Sequence, residues 1–394
     1  MEIKKEYKMT DVGVIPEDWE VKSIGDICVV KDGTHQTPNY TYFGIPFYSV
    51  ENISNNDFSN VKYISEEEHI ILSSNSKIEK GDVLMTRIGS IGCCKYIDWE
   101  VKASFYVSLA LLKFQDDECA RYFTHYSETN LFKDEIEQNS LQFAVPQKIN
   151  LGNIPKIRII LPSILKEQQL IADALTKVDN LIMSLSKVIE KKKLIKKGAM
   201  QKLLSGDMRL DGFEGEWIKI KLGDISSIKT GSRNVEEHSA NGKYPFFVRS
   251  KEVMKINTFS YDEEAILVPG EGGIGEIFHY VNGKFDVHQR VYKISDFNDK
   301  VNALFIYWYM IIFFGEYAKE NTVKATVDSL RLPTFTDFIC CLPPTKAEQT
   351  AIADILTTMD NEIEALEKER DKYKCIKQGM MQQLLTGKIR LICQ

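Results

Sequence analysis

Residues Leu161–Phe213 occur twice in this chain. They align without a gap to Leu342–Gln394 at an offset of 181, and half of the positions are identical. The copies open LPSILKEQQLIADALTKVDN and LPPTKAEQTAIADILTTMDN, and they close KKGAMQKLLSGDMRL and KQGMMQQLLTGKIRL. Apolar residues recur at Ile171, Leu175, Val178, Ile182, Leu185 and Ile189 in the first copy, and at Ile352, Leu356, Met359, Ile363 and Leu366 in the second. Steps of four and three describe a coiled-coil seam. The helix predicted from Glu167 to Ser205 has a length of roughly 58 Å at about 1.5 Å per residue. Two such helices must bury their seams against each other or against a partner.

Local signals set expectations for these helices. Thr345 and Glu348 have the spacing of a capping box, in which each side chain satisfies the other's backbone donor. Ile164 takes the place of Thr345 in the first copy. Gly206 and Gly387 are C-terminal stops. Past Ile189, whose counterpart is Arg370, the seam degrades; apolar spacing resumes at Ile195, Ala199 and Leu203, and at Ile376, Met380 and Leu384. Gly198 and Gly379 occupy one repeated interior position at a cost of about 1 kcal/mol each relative to Ala, so a bend or a close helix approach is expected there. Lys187, Lys191, Lys192, Lys193, Lys196, Lys197 and Lys202 make the second half of the first helix basic. That pattern suits either a solvated face or a contact with DNA backbone or a protein partner.

A second repeat lies outside the helices. Glu17–Gln36 resembles Gly215–Asn234 at an offset of 198, pairing Trp19 with Trp217, Gly25-Asp26-Ile27 with Gly223-Asp224-Ile225 and Gly33 with Gly231. Val83–Gly92 (VLMTRIGSIG) matches Ile266–Gly275 (ILVPGEGGIG) at 183, and Ala144–Ile154 falls opposite Ala325–Phe335 at 181. The falling offset means that the first globular half carries extra residues. The order is therefore globular, helical, globular, helical, with boundaries at 1–160, 161–213, 214–341 and 342–394. Apolar alternation ending in Gly predicts a strand that feeds an exposed loop.

Composition narrows the function. The chain has 394 residues, enough for several domains, and it is 43% hydrophobic and 27% charged. Ala303–Phe314 is the most apolar run and is too short to cross a bilayer, so it predicts a buried helix. The start lacks a signal-peptide core, and the eight cysteines show no CxxC spacing, which together predict buried thiols in a reducing cytoplasm. A net charge of −6 counts against an overall basic DNA-binding domain but does not exclude local cationic loops. Gly270–Gly275 fits GxGxxG, yet the following EIFHYVNGK reads as a strand rather than the helix a nucleotide loop needs. No phosphate loop, HExxH or NPPY-like stretch is present.

A binder remains. Thr34, His35 and Gln36 in one half, and Ser232, Arg233 and Asn234 in the other, follow the shared glycines. Arg87 and Ser90 lie in RIGSIG, and Arg249, Lys251, His288, Gln289 and Arg290 are further polar candidates. Arg, Gln and Asn are the residue types that meet base edges in pairs of hydrogen bonds.

The LPxxxxEQ openings, the KxGxMQxLLxGxxR closings, the GVIPEDWE entry and the DGTHQTPNY loop resemble the specificity subunit of type I restriction-modification enzymes over essentially the whole chain. The resemblance implies an α+β fold with two pseudo-symmetric target-recognition domains separated by two long antiparallel coiled-coil helices, and with the chain ends close together. It further implies that each domain reads half of a bipartite, asymmetric site in double-stranded DNA. The chain itself would be non-catalytic, without a cofactor or membrane contact. Two modification subunits would bind S-adenosylmethionine and methylate adenine, and restriction subunits would use ATP and Mg to translocate and cut. Ser163 departs from the family's usual second Pro, and Gly231-Ser232-Arg233 differs from Gly33-Thr34-His35, which implies unlike half-sites. The alternatives are a tandem coiled-coil adaptor without DNA specificity and a self-contained methyltransferase or nuclease.

Overall fold

A computed structural model describes residues 6–321 and 329–391. The chain forms two compact units, Met1–Ser184 with Glu369–Gln394, and Leu185–Lys368. Each unit therefore holds one globular domain, part of the first long helix (Leu165–Ser205) and part of the second (Lys346–Leu384).

In the first unit the central sheet has the order Cys28–Asp32, Leu109–Phe114, Val83–Thr86, Cys94–Tyr96, all antiparallel. Leu109–Leu112 and Val83–Met85 in its inner strands are apolar runs because both faces are covered there. Val83, Met85, Ala110 and Leu112 enter one core, whereas Leu84, Leu109 and Leu111 enter the other. The second unit repeats this plan: Ile266 and Val268 face one core, Ala265 and Leu267 the other. Its sheet has six strands because His279–Val287 runs on to pair in parallel with Tyr244–Phe247. In the first unit the matching strand is interrupted, and Ser104–Phe105 alone makes the parallel pairing to Ile45–Tyr48. Most of the extra residues of the first half fall between Gln36 and Val83, where helices Val50–Ser54 and Glu66–Ser73 form.

The predicted strand Glu17–Gln36 is broken. Trp19–Ser23 pairs with Arg158–Pro162, and Ile24–Ile27 makes one helical turn before Cys28–Asp32. The repeated Gly25 and Gly223 allow that turn to press on Pro155 and Thr336; a Cβ would meet them at 3.0 and 2.9 Å. Ala303–Glu320 is the buried apolar helix, and among the described residues no helix is long and apolar enough to cross a membrane. Cys28, Cys119 and Cys340 are buried, but Cys93 and Cys375 are exposed, against the expectation of burial throughout.

The seams do more than join helix to helix. Ile171 and Leu175 sit with Leu384 and Leu385 in the core of the first unit, while Ile352 and Leu356 sit with Met200, Leu203 and Leu204 in the core of the second. Val178, Ile182, Leu185, Met359 and Leu366 are half-buried and Ile363 is buried. Ile195 and Ile376 are exposed, so the apolar spacing read there is not a buried seam. Ion pairs fix an antiparallel register within each unit. Lys377 holds Asp179 at 2.8 Å in the first, and in the second Lys192 holds Glu362 at 2.7 Å while Lys196 pairs with Asp360. Lys193 also pairs with Glu367 at 2.5 Å. Three members of the lysine run thus serve helix pairing. No side chain lies within 4 Å of a Cβ built on Gly198 or Gly379, so close helix approach does not explain these glycines.

The family-like motifs have a shared structural job. Glu167 and Glu348 are fully buried, and each takes a two-pronged grip from an arginine that closes the other copy: Arg390 on Glu167 at 2.6 and 2.8 Å, Arg209 on Glu348 at 2.8 and 2.6 Å. The next residues, Gln168 and Gln349, donate to the carbonyls of Pro162 and Pro343. The expected capping box is therefore only half made. Thr345 Oγ1 accepts from Glu348 N at 3.3 Å, but the Glu348 carboxylate is turned to Arg209. Arg390 also grips Asp18, and Tyr7 donates to the carbonyl of Gly387, so the two described ends of the chain meet.

Candidate nucleic-acid interface

Four loops of the first unit are joined edge to edge. Thr34 N donates to Phe105 O, and Val107 N to Thr34 O; Arg87 N donates to Ser108 O, and Gly89 N to Gln147 O. Gly33 has a structural reason here, since a Cβ would stand 2.6 Å from the Tyr106 carbonyl. Asp32 is the hub. It accepts from Gly33 N at 3.0 Å, from Arg87 at 2.9 Å and from His35 Nε2 at 2.8 Å. His35, Gln36 and Ser90 are exposed, and Thr34 is half-buried with its hydroxyl turned to Gln36. Arg87, expected among the base-facing residues, is 4% exposed and also donates to Val107 O at 2.6 Å. Its guanidinium holds the loops together and is not presented at the surface.

The second unit rebuilds the frame with different side chains. Arg233 N donates to Val287 O, Gln289 N to Arg233 O, and Gly270 N to Arg290 O. By these bonds Arg233, not Ser232, occupies the place of Thr34; the repeat slips by one residue inside the loop. Arg233 is held by buried Asp286 at 3.0 Å and by Glu237 at 3.0 Å, and these carboxylates raise its already high pKa, Asp286 most. Glu271, inside GEGGIG, joins Arg249 at 3.3 Å to Arg290. Gln289 Nε2 donates to Asn234 Oδ1 at 2.7 Å. His288 is buried and accepts from Arg290 N at 3.1 Å; burial first, then nearby Arg249 and Arg290, lowers its pKa and keeps it a neutral scaffold. Ser232 and Lys251 are exposed.

Sequence reasoning missed Asp32, Glu271 and Asp286, although all three stand in or beside the quoted motifs. The signal was a carboxylate next to candidate cations. Such residues repel phosphate, so their place in a recognition loop is explained by the arginines and the histidine that they orient.

Among the described residues, one group has metal-ligand chemistry: His125, Glu128 and Asp179, with ligand atoms within 4.8 Å of one another. The Lys377 ammonium lies 2.7 Å from Glu128 and 2.8 Å from Asp179 and already supplies the positive charge. Burial would depress Lys377, but hydrogen bonds to Asp179 and Glu128 outweigh it and hold its pKa above normal.

Two like frames that present unlike loop faces define a two-site recognition protein. The family described as type I restriction modification DNA specificity domain matches residues 16–196 and 214–372. The chain belongs to that family, and carries its domain twice. A Methanocaldococcus jannaschii protein, provisionally named the type I restriction enzyme MjaX specificity subunit, is 28% identical over 98% of this chain and 97% of its own length. The MjaVIII specificity subunit of the same organism is 25% identical over 96% and 94%. The type I restriction-modification S subunit of M. genitalium shares the fold with a TM-score of 0.72 over 98% of both chains, at 16% identity.

Proposed function

We propose that this chain is the DNA-reading component of a type I restriction-modification complex and directs partner subunits to a bipartite, asymmetric site. The first unit would read one half-site through His35, Gln36 and Ser90. The second would read the other through Ser232, Arg233, Asn234, Gln289 and Arg290, with Lys251 and Arg249 available to phosphates. The observation that carries this reading is the repeated backbone frame of Thr34 and Arg233 fitted with unlike side chains. A fixed frame sets position on the duplex, and variable side chains set sequence.

The chemistry is assigned to other chains. Two modification subunits would supply S-adenosylmethionine-dependent adenine methylation, restriction subunits would supply ATP- and Mg-dependent cleavage, and the complex would work in the cytoplasm. The test is a methylome of the host with and without this gene. A methylated bipartite motif that vanishes on deletion supports the proposal, and an unchanged methylome ends it. Methylation by the purified chain alone with S-adenosylmethionine would overturn its non-catalytic role.

A further inference from the structure

We propose that Phe143 and Val145 form an apolar wedge that enters the stacked bases of duplex DNA beside the first recognition face. The inference rests on the DNA-recognition reading above and assigns a contact to residues outside the polar candidates. Phe143 is 97% exposed and Val145 98%, and Leu141 and Pro146 beside them are also exposed. Water-facing placement of a phenylalanine and a valine on one loop leaves apolar surface whose burial against a partner would be favourable.

The loop is built to hold that position. Leu141 N donates to Lys148 O at 2.8 Å and closes its base, and Ala144 N donates to Leu141 O at 3.2 Å within it. The base is bonded directly to the recognition frame through Gly89 N to Gln147 O at 2.8 Å and Ile149 N to Arg87 O at 2.9 Å. Arg87 in turn reaches Asp32, which holds His35. The apolar tip is therefore continuous with the loops assigned to DNA.

Charge selects the occupant. Residues 138–166 contain no Asp or Glu, although the chain has 56 of them, and residues 33–50 and 83–97 of the adjoining loops contain none either. Gln142 and Gln147 flank the tip, and among the described residues no carboxylate pairs with Lys148 at its base. A narrow apolar tip with no carboxylate of its own, flanked by amides and one cation, while the nearby Asp32 is occupied by Arg87 and His35, is complementary to a polyanion with apolar steps between its charges. A protein-docking patch would instead offer a broad apolar core with a polar rim. Inserted Phe and Val side chains part a base step and kink the duplex, which brings more protein surface into contact.

The experiment uses the full chain assembled with its modification subunits, on a duplex carrying the motif found by methylation mapping. 2-Aminopurine is placed in turn at each position in and beside the first half-site, leaving out the methylated adenine. Wild type is expected to raise fluorescence at one step. The double variant F143A/V145S should lose that rise and bind the target about 10-fold or more weakly, while melting like wild type because both side chains are solvent-facing. F143W should show tryptophan quenching on binding. Absence of any rise with wild type, or unchanged binding and fluorescence in F143A/V145S, overturns the wedge while leaving DNA recognition intact. Loss of the modification subunits from the variant with target binding unchanged also overturns it, in favour of a protein contact. A methylome that does not depend on this chain defeats the recognition reading itself, and the wedge with it.

Discussion

The two arginine–glutamate clamps join the opening of one helical copy to the closing of the other, and each lies wholly within one unit. Arg390 lies 25% exposed over a fully buried Glu167, which also accepts from Trp19 Nε1 at 3.2 Å. The Glu167 hydrogen bonds first, and those of Asp18 next, push the pKa of Arg390 upward, so the guanidinium keeps its charge. Removing the Glu167 carboxylate leaves the Trp19 indole N–H unpaired and Arg390 with Asp18 as its remaining carboxylate. Glu348→Ala, which takes the carboxylate from Arg209, should destabilise the second unit by about 3–5 kcal/mol, and Glu167→Ala should cost the first unit less because Arg390 keeps Asp18, as measured by chemical denaturation. A second contrast is chemical. Trp308 donates to Thr357 at 3.2 Å with the Lys196 ammonium 4.3 Å over its ring; His125 makes the equivalent contact to Thr176 at 3.0 Å beside Asp179, Glu128, Lys377 and Arg121. Burial drives His125 from an ordinary 6.5 down to about 4, against the pull of Asp179. The folded form thus binds fewer protons than the unfolded chain between those values. Stability is whole above pH 6.5 and falls as pH drops toward 4, by about 3 kcal/mol across the window. Melting of the full chain between pH 7 and 4.5 should show this loss in the first unit's transition, and His125→Gln should flatten it.

At the scale of elements, the long helices were legible from apolar spacing alone, and they run Leu165–Ser205 and Lys346–Leu384. What Ile171 and Leu175 touch was not legible, because a heptad pattern specifies a buried stripe without saying whether a helix or a sheet covers it. The lysine run was ambiguous for a related reason. Lys192 and Lys196 find Glu362 and Asp360 only once the antiparallel register is known. Arg87 shows the same limit in the site: residue type marked it as a base reader, and only folding brings Asp32 and Val107 to claim its guanidinium. Gly198 and Gly379 face open space, so no packing inside the chain compensates for their helix penalty. Gly198→Ala and Gly379→Ala should each raise the stability of the isolated chain by about 1 kcal/mol in urea denaturation. A variant that gains stability but no longer retains modification subunits on a column would place a partner on that stretch of helix.

For the molecule as a whole, duplication supplies two like loop frames on one chain, and both long helices run through both units. Each unit has its own clamp, Arg390–Glu167 or Arg209–Glu348, and its own seam-to-sheet core. Half-site choice should therefore belong to the globular part and gap length to the helices, as separable properties. Exchange of residues 214–341 for those of another family member should alter one half-site in the methylome and leave the other unchanged. The helix test must respect pairing. Removing one heptad from the first helix alone would set Lys192 and Lys196 against the wrong residues of the second, and it would break the seam as well as shorten it. A matched heptad removed from both helices, between the clamps and clear of Ile171, Leu175, Ile352 and Leu356, keeps the antiparallel ion pairs in phase. About 7 residues at about 1.5 Å correspond to roughly 10 Å of helix, or about three base-pair steps at 3.4 Å each. The methylated motif of that variant should keep both half-sites and change only the number of bases between them. Altered half-sites at an unchanged gap would show that the helices do not set the spacing.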